Sequence, residues 1–168
     1  MKSILKLITV AFLTLAPLTV FAQSNVAHIN VQQLISEMPE VVAAQNELAK
    51  LEKDYTTQID NAFKEFQTKA QSYSADAANQ TDVTNQARQK ELESMQTNLQ
   101  EFRDSAAQEL QKKQMDLMTP LLEKARNAIT KVGKEQGFNY VIDSSPNGGV
   151  ILAEGKDLIE DVKRELGF

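Results

Sequence analysis

His28 is the chain's one histidine, and the chain has no cysteine. Any hydrolytic triad would have to use His28 as its base. It sits in Val26-Ala27-His28-Ile29-Asn30, a short alternating segment with no acidic residue or second imidazole at ligand spacing. It reads as a structural or surface side chain, not a metal ligand. Glu91 and Glu93 are two positions apart on a helical segment, so they face different ways and form no carboxylate pair. With no nucleophile–base pair, metal set or nucleotide site in the sequence, no catalytic residue, cofactor or metal is expected, and the chain is not expected to be an enzyme.

What remains is non-covalent chemistry by apolar side chains that fall off the regular pattern. Phe63 is out of register with Ile59 and Phe66. Met115, Met118 and Leu122 form a second stripe at steps of three and four. Methionine repacks easily against partners of varied shape. Covering apolar area yields about 25 cal/mol per Å² without directional demands. The alternative is that these side chains widen the packing of one element on another. Packing is the stronger reading for Met115, Met118 and Leu122, while for Phe63 the two readings balance.

The elements that position these residues are long. All six glycines lie at or beyond residue 133, and the four prolines are at 17, 39, 120 and 146, so residues 40–119 contain neither helix breaker. Leu48, Leu51, Tyr55, Ile59 and Phe66 recur at helical spacing, and Leu99, Phe102 and Leu110 continue the pattern in the next segment. Between these runs, residues 74–84 hold turn and cap residues. The pattern predicts an antiparallel hairpin whose seam is those eight residues, since a narrow stripe on a polar helix needs a partner helix. Asp60–Lys64, Glu65–Lys69 and Glu109–Lys113 are expected to pair along the solvated faces. A pivot near residue 79 places Pro39 opposite Pro120. These two positions are expected to act as hinges dividing an arm, residues 39–120, from a body made of 23–38 and 121–168.

The body segments carry different signals. Asn30 and Gln33 resemble a capping box. Gly137 is placed to stop the long helix. Phe138–Asp143 and Val150–Ala153, separated by a Ser/Pro/Asn/Gly turn, predict a strand and its return strand. Asp157 and Glu160 open a last amphipathic helix, Leu158–Leu166. The fold class is therefore mainly α with a small β body, and so thin a sheet predicts pairing between subunits. Residues 1–22 read as a signal peptide: Lys2 and Lys6, an apolar run from Leu7 to Ala16, Pro17, and cleavage near Ala22. Removing the leader leaves 16 basic and 23 acidic residues, a net charge of −7. The chain is expected to be exported, without stable membrane insertion after cleavage. An acidic chain without a basic stripe is not expected to bind nucleic acid.

The layout and its end segments resemble the Skp (OmpH-like) family of periplasmic chaperones. The carrying residues are Ala27–Leu34, Pro120–Ala125, Gly137–Asp143 and Lys156–Val162. The resemblance implies a homotrimer whose strands form a β-barrel body, with three helical hairpins around a central cavity. It implies a periplasmic holdase that keeps unfolded outer-membrane proteins from aggregating, with Phe63, Met115, Met118 and Leu122 as candidate client contacts. One departure is electrostatic. No basic residue lies between Lys69 and Arg88, while Asp76 and Asp82 do, so a lipopolysaccharide site is not carried over. The competing expectation is a structural coiled-coil spacer or assembly adaptor of the cell envelope.

Overall fold

The computed structural model describes residues 25–146 and 148–168, and the leader read at residues 1–22 lies outside them. β1 (Val26–Ile29) opens the described chain. Asn30 caps α1 (Val31–Glu37): its Oδ1 accepts a hydrogen bond from the Gln33 N–H at 2.9 Å, so the first half of the expected capping box is made. Met38 takes an extended conformation, as a residue before proline must, and Pro39 begins α2 (Pro39–Asp76) where a missing N–H costs nothing. A 3₁₀ turn at Ala77–Asn79 reverses the chain. Thr81 then caps α3 (Asp82–Glu135), a helix of 54 residues. The tip is thus tighter than residues 74–84, because α2 continues through Ser74 to Asp76. Gly137, at φ 76°, ends α3 in the left-handed conformation that a side chain would resist, and the Phe138 N–H closes on the Gly133 carbonyl at 2.9 Å. β2 (Tyr140–Asp143), β3 (Lys156–Asp157) and α4 (Ile159–Leu166) complete the order.

Two expectations fail here. Pro120 does not break the long helix, since α3 passes through it without interruption. The ring forfeits one hydrogen bond to the carbonyl four residues earlier, a cost of about 3 kcal/mol. The helix is held on the far side of this point: Leu121 packs on the body core and Lys124 meets Glu40 at 2.7 Å. Nor does Pro120 face Pro39. The cross-hairpin pairs Glu40–Lys124, Glu47–Lys113 and Lys69–Glu91 centre on residues 80 to 82, which sets Pro120 opposite residues 40 to 44, inside α2.

The second failure is the return strand. Val150–Ala153 forms no strand, and the third strand is Lys156–Asp157. β1 is central in the order β2-β1-β3 and both pairings are parallel, with Val26 beside Tyr140 and Ala27 beside Lys156. An antiparallel hairpin is therefore not made. The segment after β2 instead carries the chain to the far side of β1, and the apolar run is used up in that crossing.

One sheet face is covered and the other is not. Ala27 and Ile29 point into a core with Leu34, Met38, Val41 and Val162. On the same face Val141 lies so close to α3 that a Cβ on Gly133 would stand 2.8 Å from its Cγ2, which is why the helix carries glycine there. On the opposite face Val26, Tyr140 and Ile142 are exposed.

Candidate functional site

The seam of α2 against α3 is shallow. Leu48, Leu51, Tyr55, Ile59 and Phe66 on α2, and Phe102 and Leu110 on α3, are each only half-buried, while Leu99 is buried. Two helices cannot enclose a side chain as a third layer would, so each seam residue keeps one flank in water. The structure brings Tyr55 and Phe102 together edge to face, with ring centroids 6.1 Å apart. Phe66 and Leu99 share one recess. The Tyr55 hydroxyl donates to the Glu109 carboxylate across the hairpin.

Polar partners also cross the hairpin more than the sequence suggests. Lys113, the polar interruption in the stripe, reaches Glu47 on α2 at 2.8 Å, leaving Glu109 to Tyr55. Of the three expected pairs along the helices, Glu65–Lys69 is made, at 3.9 Å, and there Lys69 lies closer to Glu91, at 2.6 Å. A residue on the seam's edge finds its counter-charge on the opposite helix.

The tip is fastened by a network that the sequence reading missed. Arg88 donates to Asp76 at 3.1 Å and lies over the Tyr73 ring, 4.6 Å from its centroid. Tyr73 donates to Glu91 at 2.6 Å, and Lys69 holds the other oxygen of the same carboxylate. The Lys69 ammonium, with the Tyr73 hydroxyl, keeps the Glu91 carboxyl below its usual range. Arg88 does the same to Asp76, with Asn79 assisting. The available signal was a single arginine following a basic-free stretch, opposite an isolated aspartate.

Apolar side chains remain outside this seam. Phe63 is 39% exposed, stacked beside Phe66 at 6.5 Å, with the Arg103 guanidinium 6.0 Å from its ring. Together with Leu99, Gln96 and Gln100 they line an open recess of about 450 Å³ on the flank of the arm. The second stripe is divided. Met115 is 55% exposed, Met118 packs against the body core, and Leu122 lines the rim of a body groove. Phe63 and the Met115 end of the arm therefore form separate apolar patches, not one surface.

In the body, Asp161 ties three elements together. It accepts from Gln136 at 2.9 Å, meets Lys156 at 3.0 Å and Arg164 at 3.2 Å. These partners, Gln136 and Lys156 foremost, hold its carboxyl at about 2. Burial pushes Asp143 upward, but the Ser145 hydroxyl and the Ser145 and Val31 N–H groups outweigh it and leave that carboxyl low. His28 meets the Ser144 hydroxyl at 3.3 Å. Among the described residues no group of three His, Cys, Asp or Glu is arranged to hold a metal, and no helix is long and apolar enough to cross a membrane.

This architecture is found elsewhere. Residues 25–166 match the family model described as outer membrane protein (OmpH-like). The "Chaperone protein Skp" of Yersinia enterocolitica is 24% identical over 148 residues, which cover 85% of this chain and 86% of that one. A crystal structure of an OmpH-like outer membrane chaperone from Caulobacter crescentus superimposes with a TM-score of 0.77 at 13% identity, covering 86% of this chain and 85% of that one.

Proposed function

We propose that this chain, which belongs to the OmpH-like outer membrane protein family, is a periplasmic holdase that binds unfolded outer-membrane proteins and keeps them from aggregating. Its signal peptide is removed near Ala22, and three copies assemble through their body segments, residues 23–38 and 121–168. The arms, residues 39–120, then surround a central cavity. The observation that carries this reading is the pair of uncovered apolar patches on a long wetted arm, at Phe63 and at Met115.

The mechanism asks for no bond-making. A client chain with scattered apolar side chains gains about 25 cal/mol for each Å² it covers on these patches. Each contact is weak and non-directional, so a held client still rearranges. The shallow seam assists, because half-buried leucines and aromatics lie just beneath the arm's surface. Clients are enclosed without being locked, and no nucleotide is needed to let them go.

The test is dilution of a urea-unfolded β-barrel membrane protein into buffer with and without the protein, following light scattering. Suppressed scattering at a ratio of one trimer to one client supports the holdase. Unchanged scattering favours an envelope spacer built on the same hairpin.

A further inference from the structure

Arg103, on the arm segment of α3, is a cation without a counter-charge. Its helical neighbours three and four positions away are Leu99, Gln100, Ala106 and Ala107, none of them acidic. It forms no salt bridge among the described residues, although the chain carries 23 acidic side chains. Lys69, Arg88 and Lys113 on the same arm each find a carboxylate across the hairpin. Asp104, next to Arg103 in sequence, accepts instead from Gln100 at 3.0 Å.

What Arg103 faces is aromatic. Its guanidinium lies 6.0 Å from the Phe63 ring centroid, the outer reach of a cation–π contact. That contact fixes where the side chain rests but leaves its fork of N–H donors unused. Arg103 thus stands at the wall of the recess that Phe63, Phe66 and Leu99 line, about 450 Å³ in volume. Pockets that take a ligand run from about 300 to 1,000 Å³. The recess offers an apolar floor and, beside it, a planar cation that grips carboxylates with two hydrogen bonds at once. Lys64 follows Phe63 in sequence and also lacks a salt bridge among the described residues, but it does not line the recess. The positive charge at this site is Arg103's.

We propose that this recess takes a client segment carrying an aromatic side chain and a carboxylate two residues apart, the ring seated on Phe63, Phe66 and Leu99 and the carboxylate held by Arg103. The spacing follows from geometry. In an extended chain, side chains two residues apart share a face and stand about 6–7 Å from one another. The Phe63 ring and the Arg103 guanidinium are 6.0 Å apart. The inference rests on the holdase reading and adds selectivity to it. Apolar contact alone ranks clients by area, whereas Arg103 ranks two segments of equal area by the charge beside the ring. On an acidic chain a client's carboxylates are repelled in most places, so the preference belongs to this recess and not to the arm as a whole.

The chain has no tryptophan, so the emission of a tryptophan peptide reports its own binding. The full protein is titrated against soluble peptides identical except at their centre, which reads Trp-Ser-Glu, Trp-Ser-Gln or Trp-Ser-Lys. The Glu peptide is expected to bind about threefold more tightly than the Gln peptide, the scale of an exposed ion pair, and the Lys peptide most weakly. Arg103→Gln is expected to bind the Glu and Gln peptides alike. Arg103→Glu is expected to reverse the order in favour of the Lys peptide, a result that a misfolded protein cannot produce. Lys64→Gln is expected to keep the original order. Equal binding of the Glu and Gln peptides by the unaltered protein overturns the proposal, as does a preference that survives Arg103→Gln. A preference lost equally in Lys64→Gln assigns it to the general field of the arm and overturns the site. Light scattering with a urea-unfolded β-barrel client, on the same samples, separates two failures. Suppression without peptide preference overturns the recess and leaves the holdase standing, while absence of both overturns both.

Discussion

The arm and the body are built from one continuous helix, α3, yet they hold it in opposite ways. In the body its residues Ala125, Ala128 and Val132 are buried beneath a sheet and two short helices. In the arm the same helix meets a single partner, and among the described residues beyond Val41 and Ala44 only Leu99 and Ala106 are buried apolar positions. Enclosure is a matter of layers. Where a sheet and helices meet, a leucine such as Leu34 loses all contact with water. Where two helices run side by side, it keeps a wet flank and contributes correspondingly less. The body can therefore hold a fixed geometry, while the arm trades stability for accessible apolar surface.

The largest expected effect follows from this contrast. Leu34, fully buried on α1, lies in the centre of the body core. Leu34→Ala is expected to cost about 2–5 kcal/mol, the usual range for a core leucine, and to lower the unfolding midpoint in urea. Leu99 is the arm's nearest equivalent. Leu99→Ala is expected to cost less, about 2 kcal/mol, because the two helices can close on the gap. Its effect should also be local: amide exchange should quicken along residues near Leu99 while the body amides stay protected. Equal losses from the two variants, or exchange spreading into the body, would erase the distinction between the regions.

Acid sharpens it further. Asp161 in the body is held at about 2, below its ordinary 3.8, by Gln136 and Lys156. At the tip, Asp76 and Glu91 are also held low, by Arg88 and by Lys69. A carboxyl whose folded pKa lies below its unfolded one adds stability above the unfolded value and loses it as pH falls through the folded value. Stability of the body is thus expected to fall between pH 3.8 and about 2, and the tip is expected to lose stability as acid protonates Asp76 and Glu91 below their ordinary range. Thermal melts across that window check it. Asp161→Asn should flatten the dependence of the body transition, and a slope unchanged by that substitution would assign the acid sensitivity to other groups.

The seam and the ends of helices were legible in the sequence because both are short-range signals. Periodicity set Tyr55 and Phe102 on facing stripes, and Asn30 and Gly137 announced a start and a stop. The strand order was not legible. Val150–Ala153 is more β-like than Lys156–Asp157, yet the latter pairs with β1, because the choice depends on which segment the crossing delivers to a free edge. Pro120 misled for the same reason. A proline's local cost is readable, but the tertiary contacts at Leu121 and Lys124 that carry a helix past it are not. The tip network escaped because a shift of about three residues in the pivot changes which charges meet.

The smallest expected change in stability belongs to the residue of most functional interest. Phe63 sits outside the seam, with Phe66 beside it and Arg103 near its face. Phe63→Ser removes a ring already partly in water, so its cost to the fold should stay within about 0.5 kcal/mol, the ordinary range for surface substitutions. Holdase activity should nonetheless drop, with more protein needed to suppress client scattering, because a client would lose a large apolar contact on the arm. Phe66→Ser provides the counterpart one turn away: it strikes the seam and should loosen the arm before it touches client binding. The two variants thus separate a side chain used for folding from one left over for a partner. Equal suppression by the Phe63→Ser and unaltered proteins would return Phe63 to packing, leaving Met115 as the arm's remaining candidate contact.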